Sequence, residues 1–309
     1  FTSSPNFNTD ERPLNDLVQQ LYSPLHLAGT YTIGGTNPDF STIVSAANYV
    51  NTYGICDDVT FNIRSGSYQE LFVLNNIPSF NGEHTVTFQS EAGNADSVIL
   101  NRYFFGGWAY NTLLIDSTSN LVLRNLTFIN SPVANGYPGL ATTIGIKGPV
   151  KNIRFEVNKI YNSSVNVAST LYGVDIQTGS SNPNVGKVVF ENNYFQGGTH
   201  AVLCSPSSDF FNHLAFSNNL FKGQLSYCLN IEQASNVCIT NNQFKKTTGY
   251  YGALQLENIT DTLRVINNEI FQSTTGSVMT IYNTSGTSTN HSLFANNEIN
   301  HQAFDNLWG

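Results

Sequence analysis

A right-handed parallel β-helix is the fold this sequence predicts for the chain after about residue 55. Three observations carry that prediction: seven segments fall into one frame, an Asn-rich corner follows each strand, and a second short strand occupies the intervals. The segments are LVLRNLTF (121–128), IRFEVNKI (153–160), VVFENNYF (188–195), LAFSNNLF (214–221), VCITNNQF (237–244), LRVINNEI (263–270) and SLFANNEI (292–299).

Positions one and three of the frame are apolar, as in Leu121/Leu123, Val188/Phe190 and Leu263/Val265, with Ser292 the single break. Positions two and four are mixed, which is the period-2 pattern of a strand with one buried face. Asn-Asn then follows at 192–193, 218–219, 241–242, 267–268 and 296–297. Asn enters the left-handed backbone region and bonds to nearby backbone, so it suits a sharp corner and a ladder of stacked amides. Beyond the corner an apolar residue points inward again: Phe128, Ile160, Phe195, Phe221, Phe244, Ile270 and Ile299. The starts are 32, 35, 26, 23, 26 and 29 residues apart, as expected of coils of constant height with external loops of unequal length. The second strands are GVDIQ (173–177), AVLC (201–204), CLNIE (228–232), ALQLE (253–257) and VMTIY (278–282).

Ahead of the coils, DFSTIVSAANYV (39–50) places Phe40, Ile43, Ala46, Ala47 and Val50 at helical spacing, with Asp39 and Ser41 as capping residues. This helix is expected to plug the open end of the core. Strands follow at 59–63, 70–74, 84–89 and 97–100, and the turn GSYQE (66–70) joins the first two. The domain reading is a linker or leading segment over 1–28, then one β-helix domain over 29–309, divided into a cap (29–58) and coils (59–309).

The chain carries a formal net charge of −8 with only 13 Lys and Arg, so no basic stripe is available for phosphates and nucleic acid is excluded as a partner class. No apolar run is long enough to span a bilayer. Scarce charge and abundant Asn, Thr, Ser and Gly suit a secreted or cell-surface protein. The start at Phe1 and the single Met279 suggest a processed piece, and the abrupt end NHQAFDNLWG leaves end-to-end self-association into a filament as one reading. Cys56, Cys204, Cys228 and Cys238 have no metal-site spacing and are expected to be free thiols. Cys204 and Cys228 are expected on adjacent coils two residues out of step, too far apart to bridge.

The order helix, strand, Gly-x-Tyr-x-Glu, strand over roughly residues 30–100 resembles the opening of the pectin-lyase-like superfamily, pectin methylesterases in particular. GTYTIGGTNPDFSTI is also similar to the start of β-helix modules in large secreted surface proteins of the Bacteroidetes type. The resemblance implies a β-helix fold but does not carry the esterase activity over. The family's catalytic Asp, Gln and Arg-Trp motifs have no counterpart here: Phe-Gly-Gly-Trp (105–108) is not that Arg-Trp pair, and Asp209-Phe210-Phe211 lacks the rest of the Asp motif.

One constellation points to chemistry. If Leu229 stacks on Leu254, Glu232 and Glu257 face outward on neighbouring coils at the interstrand spacing, with Asn230 beside Gln255. Such a carboxylate pair suits a general acid beside a nucleophile, or a shared Ca²⁺ with nearby carbonyl oxygens; equally it suits two solvated surface glutamates. Asp175, on the equivalent strand two coils back, would extend the acidic strip. Tyr227, Tyr250, Tyr251 and Tyr282 would offer rings for sugar stacking, and His200 and His213 read as ordinary surface residues. The leading expectation is a noncatalytic module that presents an elongated face to a polysaccharide or cell-surface glycan. A polysaccharide-degrading glycosidase or lyase acting through Glu232 and Glu257 is the alternative, and neither reading requires a cofactor other than candidate Ca²⁺.

Overall fold

The computed structural model describes residues 26–79, 82–103, 111–131, 141–162, 171–177, 186–206, 210–246, 249, 251–273, 276–286 and 292–301. Residues 1–25 of the leading segment, Tyr250, the 105–108 segment, Asp209 and the end 302–309 lie outside them.

The chain winds as a right-handed, all-parallel β-solenoid with three strand faces. The first face stacks Phe72–Asn75, Leu113–Asp116, Ala141–Lys147, Leu171–Ile176, His200–Cys204, the leading halves of Leu229–Thr240 and Leu254–Ile266, and Met279–Tyr282. The second face stacks the repeated frame, from Ser119–Arg124 through Lys151–Glu156, Val188–Glu191 and Leu214–Ser217 to the trailing halves of those long strands. The third face is a nine-stranded sheet in strict chain order, from Gly66–Tyr68 to Glu298–His301.

Register is constant along the stack, so like residues meet. Phe155, Phe190 and Phe216 form one buried column, with ring centroids 4.9 and 5.1 Å apart and planes within 10°. Phe195, Phe221 and Phe244 form another, with centroids 4.8 Å apart. Each buried Phe contributes roughly 1.5–3 kcal/mol by leaving water, and the stacking fixes which neighbour it meets.

The corner between the second and third faces shows why the frame repeats. Asn125, Asn192, Asn218, Asn241, Asn267 and Asn296 all have φ between 53° and 57°, the left-handed conformation the turn requires. The next residue is buried up to Asn268 and half-buried at Asn297, and from Asn158 onward it is Asn in every coil: Asn158, Asn193, Asn219, Asn242, Asn268, Asn297. Each of the last five accepts, through Oδ1, the backbone N–H of its counterpart one coil earlier at 2.9 to 3.0 Å. Nδ2 donates to a carbonyl of the earlier coil, as Asn219 does to Phe190 (2.9 Å), and to the Oδ1 ahead, as Asn219 does to Asn242 (3.0 Å). Asn158 begins the ladder by accepting from Leu126 N–H at 2.9 Å.

The first coil departs from the sequence reading in detail. Leu27–Ile33 is already a strand, paired in parallel with Ile55–Ile63, so the coils reach into the segment read as cap. Helix α1 spans Ile43–Tyr53, and its cap is Thr42 in a capping box with Ser45, not Asp39 or Ser41. Asp39 instead accepts from Thr32 N–H and hydroxyl at 2.7 Å, which closes the loop ahead of the helix and holds its carboxyl below the usual range. The helix buries Ile43, Ala46, Ala47 and Val50 over the open core. It also covers the edge of the first face, because Asn51 Nδ2 donates to Val73 O (2.9 Å) and its Oδ1 accepts from Asn75 N–H (3.1 Å).

The Gly-x-Tyr-x-Glu segment holds this end together. Gly66–Tyr68 is itself a strand of the third face rather than a simple turn. Tyr68 hydroxyl donates to Arg64 O (2.7 Å), and Glu70 Oε2 accepts from Val44 N–H (2.8 Å) at the start of α1, where a carboxylate also meets the positive helix end. The motif is structural. All four cysteines are free, with Cys204 and Cys228 buried, Cys238 half-buried and Cys56 exposed. Cys204 pairs with Ile231, so Cys228 is three residues out of step rather than two.

Two stability changes follow from the corners. Val157 takes the left-handed position with φ 57°, where its β-branch is strained, while 46% of its surface stays exposed. Val157→Asn is expected to stabilise the protein by about 1 kcal/mol, read as a higher denaturation midpoint. Asn219→Ala orphans the buried Asn193 N–H and is expected to cost about 3 kcal/mol in the same measurement.

Candidate functional site

The first face carries the sequence-predicted site, and register decides which residues meet. Leu229 pairs with Leu254, Asn230 with Gln255, and Glu232 with Glu257, as the sequence pattern requires. The two glutamates therefore lie directly side by side on adjacent coils, and Tyr282 continues their row beside Glu257. Glu232 accepts from Ser205 hydroxyl (2.8 Å) through Oε2 and from Asn230 Nδ2 (3.1 Å) through Oε1. Among the described residues no cation lies within ion-pairing distance of either glutamate. Asn230 is buried, and its Oδ1 has no hydrogen-bond donor among the described residues.

Asp175 belongs elsewhere. It pairs with Leu203, which pairs with Asn230, so it heads the Asn230–Gln255 row and does not extend the glutamate strip. It is also buried, and burial pushes its carboxyl above the usual range against a hydrogen bond from Gln177 Nε2 (2.5 Å) and the charge of Lys147. An outward acidic role for Asp175 is therefore corrected to a sheltered, hydrogen-bonded one.

An aromatic ladder flanks the polar rows, and sequence reasoning found only part of it. Tyr172, His200, Tyr227 and Tyr251 succeed one another with ring centroids 5.3, 6.0 and 5.3 Å apart. Register stacks His200 on Tyr172, and one hydrogen-bond pattern recurs beside the ladder in three coils. Ala201 and Val202 N–H share Cys228 O, Cys228 and Leu229 share Ala253 O, and Ala253 and Leu254 share Val278 O. Each such pair of N–H groups begins at a buried small residue (Ala201, Cys228, Ala253), one position after His200 and Tyr227 and two after Tyr251. Tyr251 is 54% exposed and Tyr282 50%, so both present ring surface to solvent, while Tyr172, His200 and Tyr227 are half-buried.

His200 is thus not an ordinary surface residue. Its ring lies between Tyr172 and Tyr227, Nδ1 is 3.2 Å from Thr199 Oγ1, and burial, with the nearby Lys246 charge, lowers its pKa to about 4. His213 is also half-buried, with its pKa lowered by burial and by Lys187.

The second face shows what a structural charge arrangement looks like here. Arg124 meets Glu156 at 2.6 Å, Arg154 meets Glu156 at 2.7 Å, and Arg154 reaches Glu191 at 3.3 Å, so two cations offset the in-register pair Glu156–Glu191. Glu232 and Glu257 are likewise in register but have no such cation among the described residues, and like charges directly opposite are destabilising. Elsewhere Asp57, Asp58 and His84 bring ligand atoms within 4.8 Å of one another in an exposed corner. There Asp58 Oδ1 already accepts from Thr85 N–H (2.7 Å) and Asp57 Oδ1 from Asp58 N–H (2.7 Å).

The His200 environment makes acid stability a probe of the ladder. Its folded-state value of about 4 lies below the ordinary 6.5, so between these values the unfolded chain takes up a proton that the folded chain refuses. Stability is therefore expected to fall as pH drops from 6.5 to 4, by on the order of 2 kcal/mol. His200→Phe keeps a ring in the ladder and should flatten that part of the pH–stability curve.

Comparison with known proteins agrees on architecture. No protein-family model matches the chain, and no curated protein matches it. Among solved structures, the pectin methylesterase of Aspergillus niger superposes with a TM-score of 0.52 at 11% identity, over 90% of this chain and 86% of that one. A surface adhesin of Streptococcus pneumoniae matches at TM-score 0.40 and 12% identity, over 84% of this chain and 88% of that one. A lacto-N-biosidase of Eubacterium ramulus matches at TM-score 0.40 and 10% identity, over 94% of this chain and 70% of that one. No helix among the described residues is long and apolar enough to cross a membrane. The chain has a parallel β-helix fold, which it shares with the Aspergillus niger enzyme.

Proposed function

We propose that this chain is a noncatalytic extracellular module, secreted or held at a cell surface, which binds a polysaccharide or cell-surface glycan along its first face. The observation that carries this reading is the ladder Tyr172–His200–Tyr227–Tyr251 running beside the rows Asn230–Gln255 and Glu232–Glu257. Rings suit the apolar faces of sugars, and flanking amides and carboxylates suit their hydroxyls. The face extends coil after coil, which fits a chain-like ligand better than a small molecule.

A catalytic reading has one observation in its favour: Glu232 and Glu257 are in register on adjacent strands, whose backbones lie about 4.8 Å apart, and a retaining glycosidase uses two such neighbouring carboxyls. Incubation with purified polysaccharides, with and without Ca²⁺, separates the readings by scoring retention and the release of reducing or unsaturated ends. Retention without product is expected. Tyr227→Ala and Tyr251→Ala should each weaken retention about tenfold, since stacking and burial of one ring contribute on the order of 1–2 kcal/mol. Product release that Glu257→Gln abolishes would establish the enzyme reading instead.

A further inference from the structure

The first face also selects the charge of its ligand. We infer that the glycan it takes is uncharged, and that the Glu232–Glu257 pair excludes polyuronates; this rests on the glycan-binding reading above. The two glutamates are in register on adjacent coils, with no cation within ion-pairing distance among the described residues. An anionic polymer laid along the solenoid would bring a third negative charge to that pair. The interaction is repulsive at any separation of a few ångströms and is weakened only by salt.

The cations near this face do not offset the pair. Lys147 lies on the coil below Asp175, whose carboxyl it faces, and pairs in register with Asp116. Lys246 is buried, with Nζ donating to Gln224 O at 2.9 Å. His200 is held neutral over most of the working range, with its pKa at about 4, so the ladder adds no positive charge either.

What the face offers is acceptor capacity. Ionised Glu232 and Glu257 accept hydrogen bonds and cannot donate. Ser205 and Asn230 fill part of Glu232, while the carboxylate of Glu257 has no donor among the described residues. Asn230 Oδ1 is likewise without a donor in a buried side chain. Groups of this kind are completed by donors, which the hydroxyls of neutral and uronic sugars both supply, so the selection rests on the carboxylate that only the uronic sugars add. An N-acetylated sugar would add an amide N–H.

The experiment is affinity electrophoresis of the full chain at low salt in gels containing a galactomannan, a xyloglucan, a mixed-linkage β-glucan, polygalacturonate or alginate, each with EDTA or Ca²⁺. Retardation by at least one neutral polymer, with at least tenfold weaker retardation by both polyuronates in either buffer, is the expected result. Glu232→Gln with Glu257→Gln should raise the ratio of polyuronate to neutral-polymer affinity at least tenfold, with a melting temperature no lower than that of the unsubstituted chain as the check on folding. For the unsubstituted chain, raising salt to screen the pair should strengthen polyuronate retention, a readout independent of the variant. Polyuronate binding that matches neutral binding, with EDTA or only with Ca²⁺ bridging the glutamates, overturns the selectivity and leaves glycan binding standing. Retardation by no polymer overturns both.

Discussion

The amide ladder at the corner between the second and third faces is the interaction on which the rest of this structure depends. A solenoid coil must turn sharply at the same height every time, and the backbone N–H at that turn is buried where water cannot reach it. The paired Asn residues solve both problems: the first supplies the left-handed conformation, and the second joins the coils before and after it. Because each amide both accepts and donates across coils, a slip in register would orphan several buried groups together. Coil lengths can therefore vary outside the core while Phe190 still meets Phe216 and Glu232 still meets Glu257.

That dependence explains how much of the fold was legible in the sequence. The ladder demands one residue type at one position, so it leaves a repeated signature, and the paired strands of the first face could be aligned from it. The register of Glu232 with Glu257 followed from a single assumption about Leu229 and Leu254. Features set by one coil alone left weaker traces. Thr42 caps α1 because Asp39 is drawn off to Thr32, a choice between neighbours that spacing does not decide. Val157 occupies a position where the pattern asks for Asn, and the neighbouring amides hold the turn regardless.

Misplacement of Asp175 and His200 has a common physical origin. Asp175 sits on the correct strand but two residues from the glutamate row, and its burial depends on its surroundings rather than its own coil. His200 enters the aromatic ladder because it is in register with Tyr172, and the sequence trace of that column is a small residue, Ala201, Cys228 or Ala253, just after the ring in successive coils. Three small residues in a chain rich in them are not a motif. Their alignment becomes informative only once the strands are in register, when the same column also yields Tyr172, His200 and Tyr227.

The contrast between the two outward charge arrangements bears on function more than either does alone. A parallel solenoid brings equivalent positions of successive coils together, so any repeated charge meets its own kind unless the sequence alternates sign. On the second face Glu156 and Glu191 meet in register, and Arg124 and Arg154 neutralise them. The scaffold therefore admits complementary charge, and the pairs without a cation among the described residues, Glu232–Glu257 on the first face and Glu269–Glu298 on the third, depart from it. Solenoid stability is close to a sum over neighbouring coils, so such a departure weakens one interface and leaves the others intact. A local conflict beside a ring ladder and an uncompleted buried amide is the pattern expected where a surface is arranged for a ligand rather than for its own stability.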